Sequence, residues 1–257
     1  MNHPQFGRKE PPTPNWNSRP ANAHASKPSP QRAKGQSNNE AVPSREKLGT
    51  LLTSYGVPLS GKILDKLWIY HQMLRKNNGD QDLTRLIGFE TIVQRHYADC
   101  LILHGKMKEK WPSPMVDIGT GAGFPGLMIK LVSPQTEIIL SEPRPRRVEF
   151  LNMAIRELGM TGISVFGHKF TSRSFTTPVQ GAITRAFESI ALTLPRLGSS
   201  LAVGGKAIFM KGPGVDEELN EALPPDYKLI RDDRYRIAGT TLDRALIILE
   251  RTGKFPS

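Results

Sequence analysis

A glycine-rich stretch that follows a short apolar run is the part of the sequence with the clearest capacity for chemistry. The run contains Asp117, and Gly119, Gly121 and Gly123 follow it at alternate positions. Glycine permits a positive φ and lets a ligand approach the main chain, and a helix N-terminus offers unpaired N–H groups with a partial positive charge. Because an apolar segment of helical period begins just after Gly126, the pattern predicts a strand, a ligand-binding turn and a helix.

Two classes of adenosine-containing ligand fit this turn. The spacing of Gly121, Gly123 and Gly126 also satisfies the dinucleotide fingerprint. Asp117 favours S-adenosylmethionine, because a carboxylate before the loop would repel a pyrophosphate but tolerates the cationic amino-acid end of that cofactor. Glu142 ends the next apolar run, where an acid can accept hydrogen bonds from both ribose hydroxyls. Dinucleotide enzymes use the same device, so Glu142 indicates adenosine without separating the two ligands.

The composition limits the classes of protein to consider. The chain has 257 residues and a formal net charge of +11, which suits a polyanionic partner such as RNA. The sequence has no apolar run of about 18 residues and opens with no signal peptide, so we expect no membrane association. Cys100 is the only cysteine, which excludes an internal disulfide and indicates the cytoplasm. Its place in an apolar helical pattern predicts a buried thiol.

Three segments of different composition follow one another along the chain. Residues 1–44 are rich in proline and polar residues, are more basic than acidic and have almost no aliphatic side chains. They cannot bury enough apolar surface to offset the entropy of ordering, so we predict a disordered tail, either an RNA-contacting arm or a dispensable extension. Residues 45–110 show helical periodicity without strands, which predicts an N-terminal helical cap packed on the following domain. Its helices are expected at about 44–56, 60–76 and 89–104, with a turn at 77–80.

Residues 111–257 alternate short strands and helices, as in a parallel sheet with helical crossovers. The strands are predicted at 115–118, 137–140, 163–166, 181–184, 205–210, 227–235 and 244–250. A short loop with Gly239 joins the last two, which predicts an antiparallel hairpin. A dinucleotide domain would be expected to end with a further parallel strand. The predicted fold is therefore α/β: a class I methyltransferase (Rossmann-like) sheet with a C-terminal antiparallel hairpin.

Four pieces of sequence, in this order, resemble the family of small-subunit ribosomal RNA guanine-N7 methyltransferases, RsmG or GidB. They are Arg95-His96, the loop from Asp117 to Gly126 with its Pro-Gly ending, the segment 184–187 with its Arg-Ala pair, and Lys211-Gly212. The resemblance covers about residues 46–250. It implies transfer of a methyl group from S-adenosylmethionine to N7 of a guanine in 16S ribosomal RNA. Ribosomal RNA or the small ribosomal subunit is the expected partner, and the protein is expected to be a monomer.

The resemblance also implies roles for individual residues. The cofactor-binding positions, including those chosen above from the residues alone, are Asp117, Gly119, Gly121, Gly123, Phe124, Glu142, Lys169, Phe170 and Arg185. The substrate-binding positions are Arg95, His96 and Lys211. The chain departs from the family in two places. Phe170 stands where the family has an acid beside the adenine, and Asp82 opens a segment that in the family often reads Asn-Leu-Thr.

The expected chemistry needs little acid–base assistance. Guanine N7 has an in-plane lone pair and no proton, so its attack on a sulfonium methyl group requires no general base and catalysis can consist mainly of alignment. We therefore assign no catalytic side chain and predict no metal site. The alternatives are a methyltransferase of the same fold that acts on another RNA or a small molecule, an NAD(P)-dependent oxidoreductase, and a catalytically silent RNA-binding protein.

Overall fold

The computed structural model describes residues 42–107, 109–221 and 223–253. The tail predicted to be disordered lies outside these residues up to position 41. Within them, none of the helices is both long and apolar enough to cross a membrane.

A seven-stranded sheet forms the centre of the fold, as predicted. The strands are β1 (Met115–Ile118), β2 (Ile138–Ser141), β3 (Ile163–Phe166), β4 (Val179–Arg185), β5 (Leu201–Lys211), β6 (Tyr227–Arg236) and β7 (Asp243–Arg251). Their order is β3-β2-β1-β4-β5-β7-β6. Strands β1 to β5 pair in parallel, and β7 is antiparallel to both β5 and β6. The predicted class I sheet with a C-terminal hairpin is confirmed, and Gly239 in the hairpin loop has φ 70°.

Helices cover both faces of the sheet. They are α1 (Arg45–Ser54), α2 (Gly61–Gln81), α3 (Phe89–Ile92), α4 (Asp99–Lys106), α5 (Gly126–Val132), α6 (Pro145–Glu157), α7 (Ile190–Leu197) and α8 (Val215–Asn220). Because side chains alternate along β1, Met115 faces one core and Val116 the other. The first core contains residues of α1, α2 and α4 together with α5 and α6, and Cys100 is buried in it as predicted. The helices predicted as a cap therefore share one hydrophobic core with the sheet.

The C-terminal end of α2 differs from the prediction. The sequence Asn-Asn-Gly-Asp at 77–80 was expected to form a turn, but these residues are helical and α2 continues to Gln81. The side-chain amide of Asn78 donates to the backbone oxygen of Thr84, and its oxygen accepts from the Thr84 N–H. Asn78 therefore ties the helix to the segment beyond it, and the chain leaves the helix at Asp82, whose φ is 47°.

The third predicted helix is present but is not regular. A π-helical turn, Val93–Ala98, lies between α3 and α4, and the Asp99 N–H donates to the oxygen of Gln94, five residues earlier. Single π turns inside α-helices are frequent at functional sites, because they change which side chains share a face. The turn contains Arg95 and His96, two of the residues predicted to bind substrate.

Gly126 allows α5 to approach β1 and β2 closely. A Cβ at this position would lie 2.5 Å from Leu140 Cδ2 and 2.8 Å from Asp117 Oδ2. The Gly126 N–H donates to the same Asp117 oxygen at 2.7 Å, so any side chain at 126 would push the helix away from the carboxylate that anchors it.

We expect Gly126→Ala to lower the free energy of unfolding by about 1–3 kcal/mol, the usual cost of overpacking a filled core. Gly79→Ala is the matched control, because Gly79 lies in α2 and a Cβ there meets nothing within 4 Å. That control should stabilise the protein by about 0.5–1 kcal/mol, since alanine is the better helix former. Urea denaturation measures both, and an unchanged stability of Gly126→Ala would contradict the packing argument.

Candidate active site

Asp117 anchors the glycine loop through hydrogen bonds. This side chain is fully buried, and its Oδ2 atom accepts hydrogen bonds from Thr120 Oγ1 at 2.6 Å and from the Gly126 N–H at 2.7 Å. Burial raises the pKa of Asp117 to about 6, although the two hydrogen bonds act in the opposite direction. The Oδ1 atom is buried and has no hydrogen-bond partner among the described residues.

Glu142 links the ends of the first two strands. Its Oε2 atom accepts from the Gly121 N–H at 3.1 Å, and its Oε1 atom accepts from the Arg144 N–H at 3.0 Å. Gly119, Gly121 and Glu142 therefore meet at the carboxyl edge of the sheet, as predicted. At this edge, open α/β sheets bind ligands.

Helix α2 also contacts the glycine loop. The Tyr70 hydroxyl donates to the backbone oxygen of Ala122, and the Tyr70 ring meets the Phe124 ring edge-on at 5.8 Å between centroids. An N-terminal helix is therefore part of the support of the predicted cofactor loop.

Three of the four sequence pieces converge on the Phe124 ring. His96 stacks on this ring with centroids 4.6 Å apart, and the Arg185 guanidinium carbon lies 5.2 Å from the ring centroid. Arg185 Nη2 lies 3.2 Å from His96 Nδ1. The structure therefore brings together the Arg-His pair, the glycine loop and the Arg-Ala segment, which are far apart in sequence.

His96 is held in one neutral form. Because arginine can only donate, Nδ1 accepts from Arg185, and Nε2 then carries the proton and donates to Thr84 Oγ1 at 2.8 Å. Burial, followed by the positive charge of Arg185, lowers the pKa of His96 to about 3. This histidine is therefore neutral near pH 7 and is a hydrogen-bonded positioning group, not an acid–base catalyst.

A buried acid, Asp99, connects two arginines and was missed by the sequence analysis. Its Oδ1 accepts from Arg244 Nε at 2.7 Å, and its Oδ2 lies 3.4 Å from Arg185 Nη1. Arg185 Nη1 also donates to the backbone oxygen of Arg95 at 2.9 Å. The N–H groups of Arg185 therefore bond to the helical segment that contains the π turn. The only sequence signal for Asp99 was an acid inside the apolar pattern of its helix.

A cavity of about 460 Å³ lies beside the loop. Phe187 lines it and lies against Gly119, where a Cβ would be 2.6 Å from Phe187 Cδ2. Phe187 is 37% exposed, and the preceding Ala186 has φ 51°, a left-handed conformation that is rare outside glycine. A larger cavity, about 570 Å³, lies between the α1–α2 connection and the end of α4 and is lined by none of the predicted site residues.

The remaining predicted residues have different surroundings. Lys211 lines the 460 Å³ cavity, but its Nζ donates to the Glu188 backbone oxygen at 2.7 Å and to the Glu218 carboxylate at 2.8 Å. Phe170 is 4% exposed and packs in the second core, so its side chain is not available to a ligand. Lys169, just before it, is exposed. In the described parts of the chain, no group of three His, Cys, Asp or Glu side chains could hold a metal ion.

The matching family model and the similar proteins indicate the same family. The model of a family described as rRNA small subunit methyltransferase G (GidB) matches residues 63–227. Ribosomal RNA small subunit methyltransferase G 2 of Syntrophobacter fumaroxidans is 40% identical over 218 residues, covering 84% of this chain and 43% of that protein. The protein of the same name from Bdellovibrio bacteriovorus is 33% identical over 218 residues, covering 83% of this chain and 84% of the relative. The chain thus spans less than half the length of the first relative.

A solved structure shares the fold. It is a mutant of MtNAS in complex with S-adenosylmethionine, with a TM-score of 0.51 and 11% sequence identity, and the match covers 81% of this chain and 77% of that one. At this identity the similarity concerns the fold alone.

The buried histidine gives the stability of the protein a defined dependence on pH. The unfolded chain protonates His96 below about pH 6.5, whereas the folded chain does so only near its pKa of about 3. The stabilisation is therefore complete above about pH 6.5 and is lost as the pH falls, at up to about 1.4 kcal/mol per unit. His71, with a pKa lowered to about 4 by burial, acts with the same sign, and Asp117 opposes both between about pH 4 and 6.

We expect His96→Gln to lose less stability than the wild type between about pH 7 and pH 5, because it removes one of these titrations. Urea denaturation at each pH measures the difference in stability between the two proteins. His71 and Asp117 titrate in both proteins, so their contributions cancel from this difference. The control is His104→Gln, which replaces an exposed histidine at the end of α4 and should keep the wild-type slope. Equal slopes for His96→Gln and the wild type would contradict the buried neutral histidine.

Proposed function

The chain belongs to the rRNA small subunit methyltransferase G family (GidB), and we propose that it transfers a methyl group from S-adenosylmethionine to N7 of a guanine in 16S ribosomal RNA. The observation that carries this proposal is the position of the 460 Å³ cavity. Phe187 lines the cavity and lies against Gly119, so a base in the cavity would lie next to a ligand on the loop.

The residues at the loop fit the cofactor. Gly119 and Gly121 have positive φ, 71° and 60°, and carry no side chain of their own, and the Phe187 ring lies against Gly119. Glu142, at the end of β2, is 4% exposed, and each of its oxygens accepts one backbone N–H and has capacity for a ribose hydroxyl as a second donor. The buried Oδ1 of Asp117 is an acceptor still without a donor among the described residues. When bound, S-adenosylmethionine would supply an electrophilic methyl group on a sulfonium centre.

The chain's own contribution to the reaction is alignment. Guanine N7 has no proton to lose, so the neutral His96 has no proton to accept and instead fixes the Phe124 ring against the loop. Arg185 holds the loop side and the helix side of the site together, because it lies over the Phe124 ring and bonds to His96 and to the Arg95 backbone. Rigid positioning of two reactants can supply a large part of a rate enhancement. These residues would therefore act by holding the geometry.

The RNA would approach from the side of the π turn. The Arg95 side chain is exposed and lines the cavity, where it can contact a phosphate near the target base. We propose the small ribosomal subunit or its RNA as the partner. We also propose that the protein works in the cytoplasm as a monomer.

Mapping N7-methylguanine tests the function directly. We expect 16S ribosomal RNA from cells that lack the protein to lose this modification at one guanine. The purified protein with S-adenosylmethionine should restore it on that RNA or on the small subunit. If no guanine differs between the two RNA preparations, the proposed reaction is wrong.

We expect Glu142→Ala to weaken binding of S-adenosylmethionine by about 1.5–3 kcal/mol, the usual contribution of hydrogen bonds to a charged group. The loss also includes the Gly121 N–H bond that orders the loop. Calorimetry measures the change, with Glu149→Ala, an exposed acid on α6, as the control. An unchanged affinity in Glu142→Ala would refute its role at the ribose.

We expect Arg95→Ala to raise KM for the RNA and to leave the affinity for S-adenosylmethionine unchanged. Loss of one phosphate contact should reduce the slope of log affinity against log salt by roughly 0.7–0.9. Arg156→Ala is the control, because Arg156 is exposed at the far end of α6. An unaltered salt slope in Arg95→Ala would place the phosphate contact elsewhere.

A further inference from the structure

A lysine and a glutamate form a fixed pair in the wall of the 460 Å³ cavity. Lys211 Nζ lies 2.8 Å from Glu218 Oε2 and 3.1 Å from Oε1, and it also donates to the Glu188 backbone oxygen. Glu218 Oε2 accepts from the Ile190 N–H at 2.8 Å. The two side chains are 12% and 24% exposed. A hydrogen-bond donor and an acceptor are therefore held side by side, and both face the cavity.

We propose that Glu218 and Lys211 recognise the guanine to be methylated, an inference that rests on the proposed function. Guanine presents the O6 acceptor next to the N1–H donor, with the N2 amino group beyond it, whereas adenine presents a donor at N6 next to an acceptor at N1. Lys211 donates to O6, and the adjacent N1–H and N2–H groups share Glu218 Oε1, which accepts one bond, from Lys211, among the described contacts. Adenine at the same place would put its N6 donor against Lys211 and its N1 acceptor against Glu218.

Glu218 is the acid of this cavity that is best placed to accept further hydrogen bonds. The carboxylate of Glu188 is engaged by Arg196 through two bonds of 2.7 and 3.0 Å. Asp99 is 4% exposed and lies between two arginines. By contrast, Glu218 Oε1 accepts one bond of 3.1 Å, from Lys211, among the described contacts. A carboxylate oxygen has capacity for a second donor.

The arrangement leaves N7 free to react. N7 lies beyond O6 on the edge of the purine, away from N1 and N2, so a base held by its N1 and N2 groups presents N7 to another part of the site. The partly exposed Phe187 ring lines the same cavity and lies against Gly119, and it offers a face for the base to stack on. One base can therefore touch the recognition pair and the loop side of the cavity at once.

Replacement of the target guanine by inosine tests the proposal, because inosine keeps O6 and N1–H and lacks only the N2 amino group. The probes are two RNA fragments that carry either base at the mapped position. We expect the wild type to prefer guanine by about 10–100-fold in kcat/KM, since a site built for a hydrogen bond rejects an analogue that lacks it. This comparison needs no variant, and equal rates on the two RNAs would overturn the proposal.

The variant Glu218→Gln tests the residue itself. Its amide can still accept from Lys211 and Ile190 but loses the charge and one acceptor, so we expect kcat/KM on guanine RNA to fall about 10–100-fold. The fall on inosine RNA should be smaller, and the preference should shrink to a few-fold. Affinity for S-adenosylmethionine should stay at the wild-type value. Glu217→Gln, an exposed neighbour on α8, is the matched control and should behave as wild type.

Different results would contradict the recognition role and the proposed function. If Glu218→Gln keeps the full preference for guanine over inosine, the recognition role is wrong even though methylation continues. If the wild type methylates no guanine in 16S ribosomal RNA, the proposed function itself is wrong.

Discussion

The bond between the Asp117 carboxylate and the backbone N–H of Gly126 is the constraint on which the site depends. It brings the start of α5 down onto the ends of β1 and β2, and that contact is possible only because position 126 has no side chain. With the loop fixed in this way, Phe124 is available for His96 to stack on, and Arg185 can reach across from β4. A carboxylate buried for this purpose is costly, as its pKa of about 6 indicates.

Local sequence patterns predicted the sheet well because they reflect local physics. Apolar runs of strand length, separated by glycine or helical periodicity, gave all seven strands and the antiparallel hairpin. The errors occurred where side-chain contacts, and not periodicity, decide the outcome. Asn78 and Gly79 are common in turns, yet the hydrogen bonds of Asn78 to Thr84 keep the chain helical. The π turn also depends on packing that periodicity does not encode.

The candidate site was predictable only in part, for the same reason. The glycines, the acid before the loop and the acid after the second strand can be identified from their residue types and spacing. These residues do meet at one edge of the sheet. Asp99, Arg244, Phe187 and Glu218 come together through the tertiary fold, and no spacing rule identifies them. Lys211 was expected to contact the substrate, and its pairing with Glu218 was not predicted. Family membership removes the oxidoreductase alternative, which the glycine spacing by itself had left open.

The core that joins α1, α2 and α4 to α5 and α6 has a consequence for biosynthesis. A chain leaves the ribosome from its N-terminus, so these early helices emerge before the segments that cover their apolar faces. They cannot complete this core until β7 has been made, because Leu246 and Ile248 belong to it, whereas an independent cap could fold at once. The nascent chain therefore carries uncovered hydrophobic surface over much of its synthesis, a period in which chaperones bind and aggregation competes with folding.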